Sequence, residues 1–168
     1  MDIVNSTFTF SLGQTLDLDN LASTLWNIEY NPRKFPSVVL RLKEPQCTTL
    51  ISASGKVVVV GCKSEQQAMK ASRLIRRQVL SAAPGVEVSG LTCRNLVGST
   101  THDFDLTPYW NVEGKRTFHN PSLFPGLQVT LAGKARATLF ASGVLYITGV
   151  DSEKRLEEAH LELCFLLV

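Results

Sequence analysis

NPRKFPS (Asn31–Ser37) has a near copy in NPSLFPG (Asn120–Gly126), and the flanking sequence repeats with it. Downstream, LISASGKVVVVG (residues 50–61) is matched by TLFASGVLYITG (residues 138–149). Upstream, the LDL at Leu16 is matched by the FDL at Phe104, and Asn5 in VNSTFTFSLG by Asn95 in RNLVGSTTHD. The last stretch of each copy agrees too: SEQQAMKASRLIRRQVL from Ser64 and SEKRLEEAHLELCFLLV from Ser152. Five anchors in one order at nearly one spacing mark a duplication. The period is too long for a solenoid unit, so the expectation is two half-domains, residues 1–84 and 85–168, related by a pseudo-two-fold axis and together forming one domain.

With 168 residues, 44% apolar and 19% charged, the chain has globular composition and enough length for a core. No apolar run approaches the roughly 20 residues that span a bilayer, no signal-peptide pattern opens the chain, and almost nothing precedes Asn5, so no membrane or N-terminal regulatory segment is expected. The four cysteines (Cys47, Cys62, Cys93, Cys164) lack CxxC spacing, which speaks against a zinc site or disulfide framework and for a reducing compartment. Net charge is +2, but unevenly divided: +4 over residues 1–84 and −2 over residues 85–168. Halves that differ in sign meet different partners.

Each copy opens with a β-prone segment, NSTFTFSL or NLVGSTTHDF. In the first, a short helix is expected over LDNLASTLW with Asp17 or Asp19 as N-cap. The strands PSVVLRL, TTLISA and KVVVVGC follow, separated by turns at Pro45 and Ser54-Gly55. A long helix closes each copy, and Ser64-x-x-Gln67 is a capping-box pattern. Its apolar stripe is Ala68, Ala71, Ile75 and Val79, with Lys70, Arg73 and Arg77 opposite; in the second copy the stripe is Leu156, Ala159, Leu163 and Leu167, and Glu157, Glu158 and Glu162 replace the basic residues. Leu161 and Phe165 lie off that stripe.

The strands carry the informative anomaly. An antiparallel sheet with helices on one side alternates apolar inward and polar outward. Val38–Leu40 and Val57–Val60 do not alternate, so a second apolar face is expected, either a binding surface or an oligomer contact.

EYNPRKF, TTLISASGKVVVVGCKSE, RNLVGS and NPSLFPGL, in this order and at this repeat spacing, resemble the TATA-box-binding protein family over nearly the whole chain, as a divergent member of it. The resemblance implies an α+β fold: a saddle-shaped, duplicated domain whose continuous antiparallel sheet faces DNA, with four helices on the convex side. It implies a nuclear transcription initiation factor that binds and bends promoter DNA through the minor groove and nucleates a preinitiation complex. Such minor-groove architectural proteins, this family among them, wedge apolar side chains into base steps. Specificity then rests largely on deformability, because the groove separates A·T from G·C and little more.

Matched position by position, the resemblance makes Phe35, Phe124 and Phe140 DNA wedges, Phe140 on condition that the AGKA turn is one residue short; the fourth wedge position is Ser52. Asn5 and Asn95 match the paired groove-floor asparagines. Thr148 is one of two flanking threonines, the other being Val60. Val97, Leu50 and Val58 match apolar groove contacts, whereas Thr7, Thr138 and Tyr146 stand where the family has Val or Leu. Arg41, Lys56, Ser54 and Ser142 match phosphate contacts, but the partners of Arg41 and Lys56 are Thr130 and Val144. Arg136 falls on the DNA face if the register holds. Lys63, Lys70, Arg73 and Arg77 match the helix that the family uses for other transcription partners, the partners implied being factors of the IIA, IIB or related type and other promoter-complex subunits. Asn120, Pro121, Ser122 and Leu123 stand where the family's acidic loop meets factor IIB. The loss of a wedge implies reduced TATA selectivity.

The rival reading is an interaction scaffold in a promoter complex with little direct DNA recognition, favoured by Ser52, Val60, Thr130 and Val144. An enzyme is a weaker rival. His102, Asp103 and Asp105 form a local HDFD run with no second carboxylate or cysteine cluster, alternation places His102 apart from both aspartates, no Gly-rich phosphate loop or nucleophile motif appears elsewhere, and no cofactor is expected. A surface turn and a non-enzymatic chain are expected.

Overall fold

A computed structural model describes residues 1–109 and 116–167. Among the described residues ten strands are formed: β1 (Asp2–Ser11), β2 (Ile28–Asn31), β3 (Phe35–Lys43), β4 (Gln46–Ser52), β5 (Lys56–Val60), β6 (Ser89–Thr101), β7 (Thr117–Asn120), β8 (Phe124–Thr130), β9 (Arg136–Leu139) and β10 (Val144–Val150). Three α-helices accompany them among the described residues: α1 (Leu18–Thr24), α2 (Glu65–Val79) and α3 (Glu153–Leu166). The chain divides into two compact units, residues 5–94 (the first unit) and residues 1–4 with 95–168 (the second). Strands β1 and β6 contribute residues to both.

In the first unit the antiparallel order is β2-β3-β4-β5-β1. Alternation decides which side is buried. Val38, Leu40, Ile51, Val57 and Val59 are almost fully buried on one face, with Phe8 and Phe10 of β1. They meet Ala68, Ala71, Ile75 and Val79, the expected stripe of α2, in one core cluster. Burying such side chains contributes about 1.5–3 kcal/mol each before chain entropy is counted.

The helix starts are set by capping. Asp17, not Asp19, caps α1, its carboxylate accepting from Asn20 N–H. Ser64 caps α2 by accepting from Gln67 N–H, but the Gln67 side chain accepts from Lys63 N–H, one residue earlier than a capping box requires. Cys47 and Cys62 meet inside this core as thiols. Cys62 is pushed well above the ordinary thiol value by its hydrogen bond with Cys47 and by burial, so it stays protonated.

The second unit repeats the plan as β6-β10-β9-β8-β7, with α3 against β10. Leu127, Val129, Ala137, Leu139, Leu145 and Ile147 form its buried face beneath Leu156, Ala159 and Leu163. Gly98 lies under the Leu156 side chain, so a Cβ there would come within 2.6 Å of Leu156 Cδ2.

Of the counterpart of α1 the described residues hold one 3-10 turn, Thr107–Tyr109; the rest of that expected helix falls on residues 110–115, which lie outside the described residues. β6 ends at Thr101, so strand alternation does not govern His102, Asp103 and Asp105. His102 instead closes a turn, with Nδ1 accepting from Phe104 N–H and Nε2 bonded to Phe140 O, which fixes the neutral tautomer with the proton on Nε2.

Glu162 ties α3 to the sheet end. Its carboxylate accepts from Ala132 N–H at 2.9 Å and from Arg116, whose Nε also donates to Thr130 O. The Ala132 N–H first, and Arg116 with it, hold the Glu162 carboxyl below its ordinary value. A depressed acid stabilises the fold above the unfolded value and loses that contribution as pH falls through the folded one. Glu162→Gln is therefore expected to cost about 1 kcal/mol near neutral pH. The gap from wild type should close as pH falls below about 4. Urea melts at the two pH values check this, and a gap that stays constant would refute the linkage.

Candidate nucleic-acid interface

The faces opposite the helices are built by the alternate residues of the same strands. In the first unit, register places Val39, Leu50, Val58 and Thr9 in one row across β3, β4, β5 and β1. The next row is Arg41, Thr48, Val60 and Thr7. Val39, Leu50, Val58 and Val60 are only half-buried, so the second apolar face expected from the unbroken valine run exists, and no helix among the described residues covers it. Asn5 follows Thr7 on the same side of β1. Phe35 stands at the start of β3 with the same parity, 43% exposed.

Phosphate-type candidates of the first unit lie at the edge of this face. Lys56 begins β5 opposite Ser11, and Ser54 sits in the preceding turn; both are exposed. Arg41 differs from expectation in one respect: Nη1 is 2.9 Å from Glu29 Oε2, with both side chains largely exposed. Such a pair is worth little in stability, but the carboxylate offsets the guanidinium charge that a phosphate would meet. Repeat spacing does not reveal it, because β2 meets β3 with an irregular register between Glu29 and Asn31.

In the second unit the corresponding rows are Ser99, Tyr146, Thr138 and Gln128, then Thr148, Arg136 and Thr130. Arg136 is thereby placed on the open face, paired with Thr148 and Thr130. Val97 and Asn95 lie on the same side of β6. Asn95 Oδ1 accepts from Gly149 N–H at 2.8 Å, which orients its amide. Ser142 is exposed in the turn that joins β9 to β10.

Phe124 and Phe140 come together. Their ring centroids are 5.9 Å apart in an edge-to-face arrangement, and Phe140 makes a second such contact with Tyr146 at 6.3 Å. What permits this is Gly126. A Cβ there would lie 2.8 Å from Phe124 Cε1, 2.9 Å from Thr138 Cγ2 and 3.2 Å from Phe140 Cε1. The first unit offers no such pair: Ser52 faces Ser37 across the strands, and its hydroxyl is shared between Ser54 Oγ and Lys56 O, both at 2.9 Å.

Away from the sheet faces, Lys63, Lys70, Arg73 and Arg77 are all exposed, the last three on the solvent side of α2. Asn120, Pro121, Ser122 and Leu123 form the turn between β7 and β8. Asn120 O and Oδ1 accept from Leu123 and Ser122 N–H, and Leu123 projects 77% exposed. On α3, Leu161 and Phe165 are 59% and 84% exposed.

Gly126 and Gln128 were not singled out from the sequence. The signal was present: PSVVL (Pro36–Leu40) aligns with PGLQV (Pro125–Val129), setting Ser37 against Gly126 and Val39 against Gln128.

Comparison with known proteins agrees with the duplication and the fold. The family model described as transcription factor TFIID (or TATA-binding protein, TBP) matches residues 1–82 and again 90–167. TATA-box-binding proteins of Acanthamoeba castellanii and Saccharomyces cerevisiae are each 35% identical to the chain, over 162 and 158 residues, covering 92% of it in both cases. The chain spans 61% and 66% of those relatives' lengths. Among solved structures, Methanococcus jannaschii TBP superposes with a TM-score of 0.84 at 32% identity, covering 96% of this chain and 94% of that one. A twice-matched family model, antiparallel sheets with helices on one face, and the repeated pairs Asn5 and Asn95, Phe35 and Phe124 agree: the chain belongs to the TATA-binding protein family and has its α+β fold.

Proposed function

We propose that the two duplicated halves, residues 1–84 and 85–168, bind promoter DNA through the minor groove, bend it and nucleate a preinitiation complex in the nucleus, with reduced TATA selectivity. The observation that carries this is the edge-to-face pair of Phe124 and Phe140 on an open sheet face. Two rings side by side at the end of a flat face have the shape of a wedge for one base step. Phe35 supplies the other wedge. Asn5, Asn95 and Thr148 supply donors for the groove floor, and Val97, Leu50, Val58 and Val60 its apolar contacts. Lys56, Ser54, Ser142 and Arg41 flank the duplex. The exposed basic stripe of α2 suits a partner of the IIA type, and the Asn120–Leu123 turn one of the IIB type. Chemistry on a substrate has no part in this reading, in keeping with a family of transcription factors.

The test is binding and bending measured together by energy transfer across an end-labelled TATA duplex, beside a G·C-rich control. Selective binding with a shortened end-to-end distance is expected; the absence of both would refute the reading. Ser52→Phe should raise affinity roughly tenfold by restoring a second ring beside Phe35, since a wedge offsets part of the few kcal/mol that unstacking costs. An unchanged or lower affinity would show that the first unit does not insert at this step.

A scaffold that barely touches DNA is the second reading, and the Arg41–Glu29 pair favours it by occupying one of few cations on the open faces. Salt dependence separates the two. Each phosphate neutralised adds about 0.9 to the slope of log affinity against log salt, so a scaffold would show almost none.

A further inference from the structure

We propose that the open face of the second unit admits G·C pairs, so that the protein reads an asymmetric site: A·T pairs against the first unit, A·T or G·C against the second. This rests on the minor-groove reading above and adds to it where along the site selectivity is lost.

The inference comes from two equivalent rows of side chains. Across β3, β4, β5 and β1 the row is Val39, Leu50, Val58, Thr9. Across β8, β9, β10 and β6 it is Gln128, Thr138, Tyr146, Ser99. Three consecutive aliphatic residues in one unit are thus three hydrogen-bonding residues in the other. Even the end position follows the trend, because Thr9 Oγ1 in the first unit is engaged by Arg94 Nε at 2.8 Å.

The minor groove distinguishes a G·C pair by one group, the guanine exocyclic amine, a donor that stands among acceptors. Against Val39, Leu50 and Val58 that donor would be buried with no acceptor, a loss for which nothing in the row compensates. Against Gln128 Oε1, Thr138 Oγ1 and the Tyr146 phenol it finds acceptors. The same three groups donate equally well to the adenine N3 and thymine O2 of an A·T pair. The second row is permissive, whereas the first is selective.

The acceptors are available. Among the described residues, no hydrogen bond within the protein engages the side chains of Gln128, Thr138, Tyr146 or Ser99. They are also positioned. Thr138 turns its methyl toward Gly126, where a Cβ would lie 2.9 Å from it, and the Tyr146 ring stands against Phe140 at an interplanar angle of 86°.

The test compares three duplexes for the full chain: one all A·T, one with G·C pairs in one half, one with G·C pairs in both. Either orientation on the half-substituted duplex is open to the protein, so its second unit can take the G·C half. The half-substituted duplex is expected to bind within about threefold of the all-A·T one, and the doubly substituted one at least roughly tenfold more weakly. Copying the selective row into the second unit (Gln128→Val with Thr138→Leu and Tyr146→Val) should widen the half-substituted ratio to roughly tenfold. The reciprocal variant (Val39→Gln with Leu50→Thr and Val58→Tyr) should narrow the doubly substituted ratio. Thermal melts confirm that each is folded, and either variant alone suffices if the other is not. A wild-type protein that binds A·T tightly but loses tenfold on the half-substituted duplex overturns this inference and leaves the minor-groove reading intact, as do folded variants with unchanged ratios. Selective binding to none of the duplexes removes both.

Discussion

Phe140→Ala is expected to weaken binding to an A·T-rich duplex by roughly a hundredfold and to remove much of the bend, with little change in folding stability. A hundredfold corresponds to about 2.7 kcal/mol, within the few kcal/mol needed to unstack a base step. The backbone at Phe140 is held independently of its ring. Its N–H donates to Val144 O, and its carbonyl accepts from Gly143 N–H and is bonded to His102 Nε2. Removing the ring thus leaves the turn in place but takes away the edge against which Phe124 rests. The gap cannot be closed from below, because the residue opposite is Gly126. Phe124→Ala should therefore cost less in the Phe140→Ala background than alone, a coupling that a double-mutant cycle measures directly. Phe35→Ala should cost less than either, since Ser52 gives that ring no aromatic neighbour. Wild-type affinity and bending in Phe140→Ala would remove the wedge role.

Most of the fold was legible in the sequence for one reason: duplication lets each half check the other. Apolar residues at helical spacing named the stripe of α2, and the unbroken valines of β5 announced a sheet with two apolar faces. What stayed hidden were features set by register and by cross-strand neighbours. Arg136 could be placed on the open face only once the turn before it was counted, and that turn includes Lys134 in the left-handed region at φ 72°. The Glu29–Arg41 pair depends on an irregularity between β2 and β3. The Glu162 contacts join residues far apart in the chain, and no periodicity encodes them. Gly126 showed the opposite failing, an ordinary glycine in sequence whose meaning is the space it leaves for two rings.

The site was legible in a different way. Position-by-position resemblance picked out the phenylalanines and asparagines; strand alternation sets Asn5, Asn95, Phe35 and Phe124 on the side away from the buried face, and Phe140, just past β9, meets Phe124. Resemblance also flagged Thr138 and Tyr146 as departures, but taken singly they were only substitutions. Register turns them, with Gln128, into one polar row. The charge reversal between α2 and α3 is likewise a property of the pair of copies. The core residues Leu156, Ala159 and Leu163 keep the stripe, exposed Lys70, Arg73 and Arg77 give way to exposed Glu157 and Glu158, and Glu162 turns to Ala132 and Arg116.

The strongest effect on stability is expected at a turn the two copies share. Gly55 and Gly143 have nearly the same backbone, φ 78° and 83°, in the left-handed region that side chains avoid. Each also accepts one hydrogen bond from the strand end beside it, from Leu12 N–H at 2.9 Å and from His102 N–H at 2.8 Å. Conformational strain from an added methyl is therefore common to both, about 1–2 kcal/mol. Crowding is not. A Cβ on Gly143 would lie 3.2 Å from His102 O, a contact that a few tenths of an ångström relieve, whereas a Cβ on Gly55 would lie 2.1 Å from Gln14 O. The Gln14 backbone cannot retreat freely, because Leu16 N–H donates to Ala53 O on the same turn and the Gln14 side chain donates to Pro84 O. Gly55→Ala must break part of that clamp and is expected to cost about 3–4 kcal/mol, which lowers Tm by about 6–16 °C for a chain of this size. Gly143→Ala should stop at about 1–2 kcal/mol. Denaturant melts of the two variants side by side decide the matter: equal losses would mean that backbone strain alone sets the cost and that the Gln14 contact yields without effect.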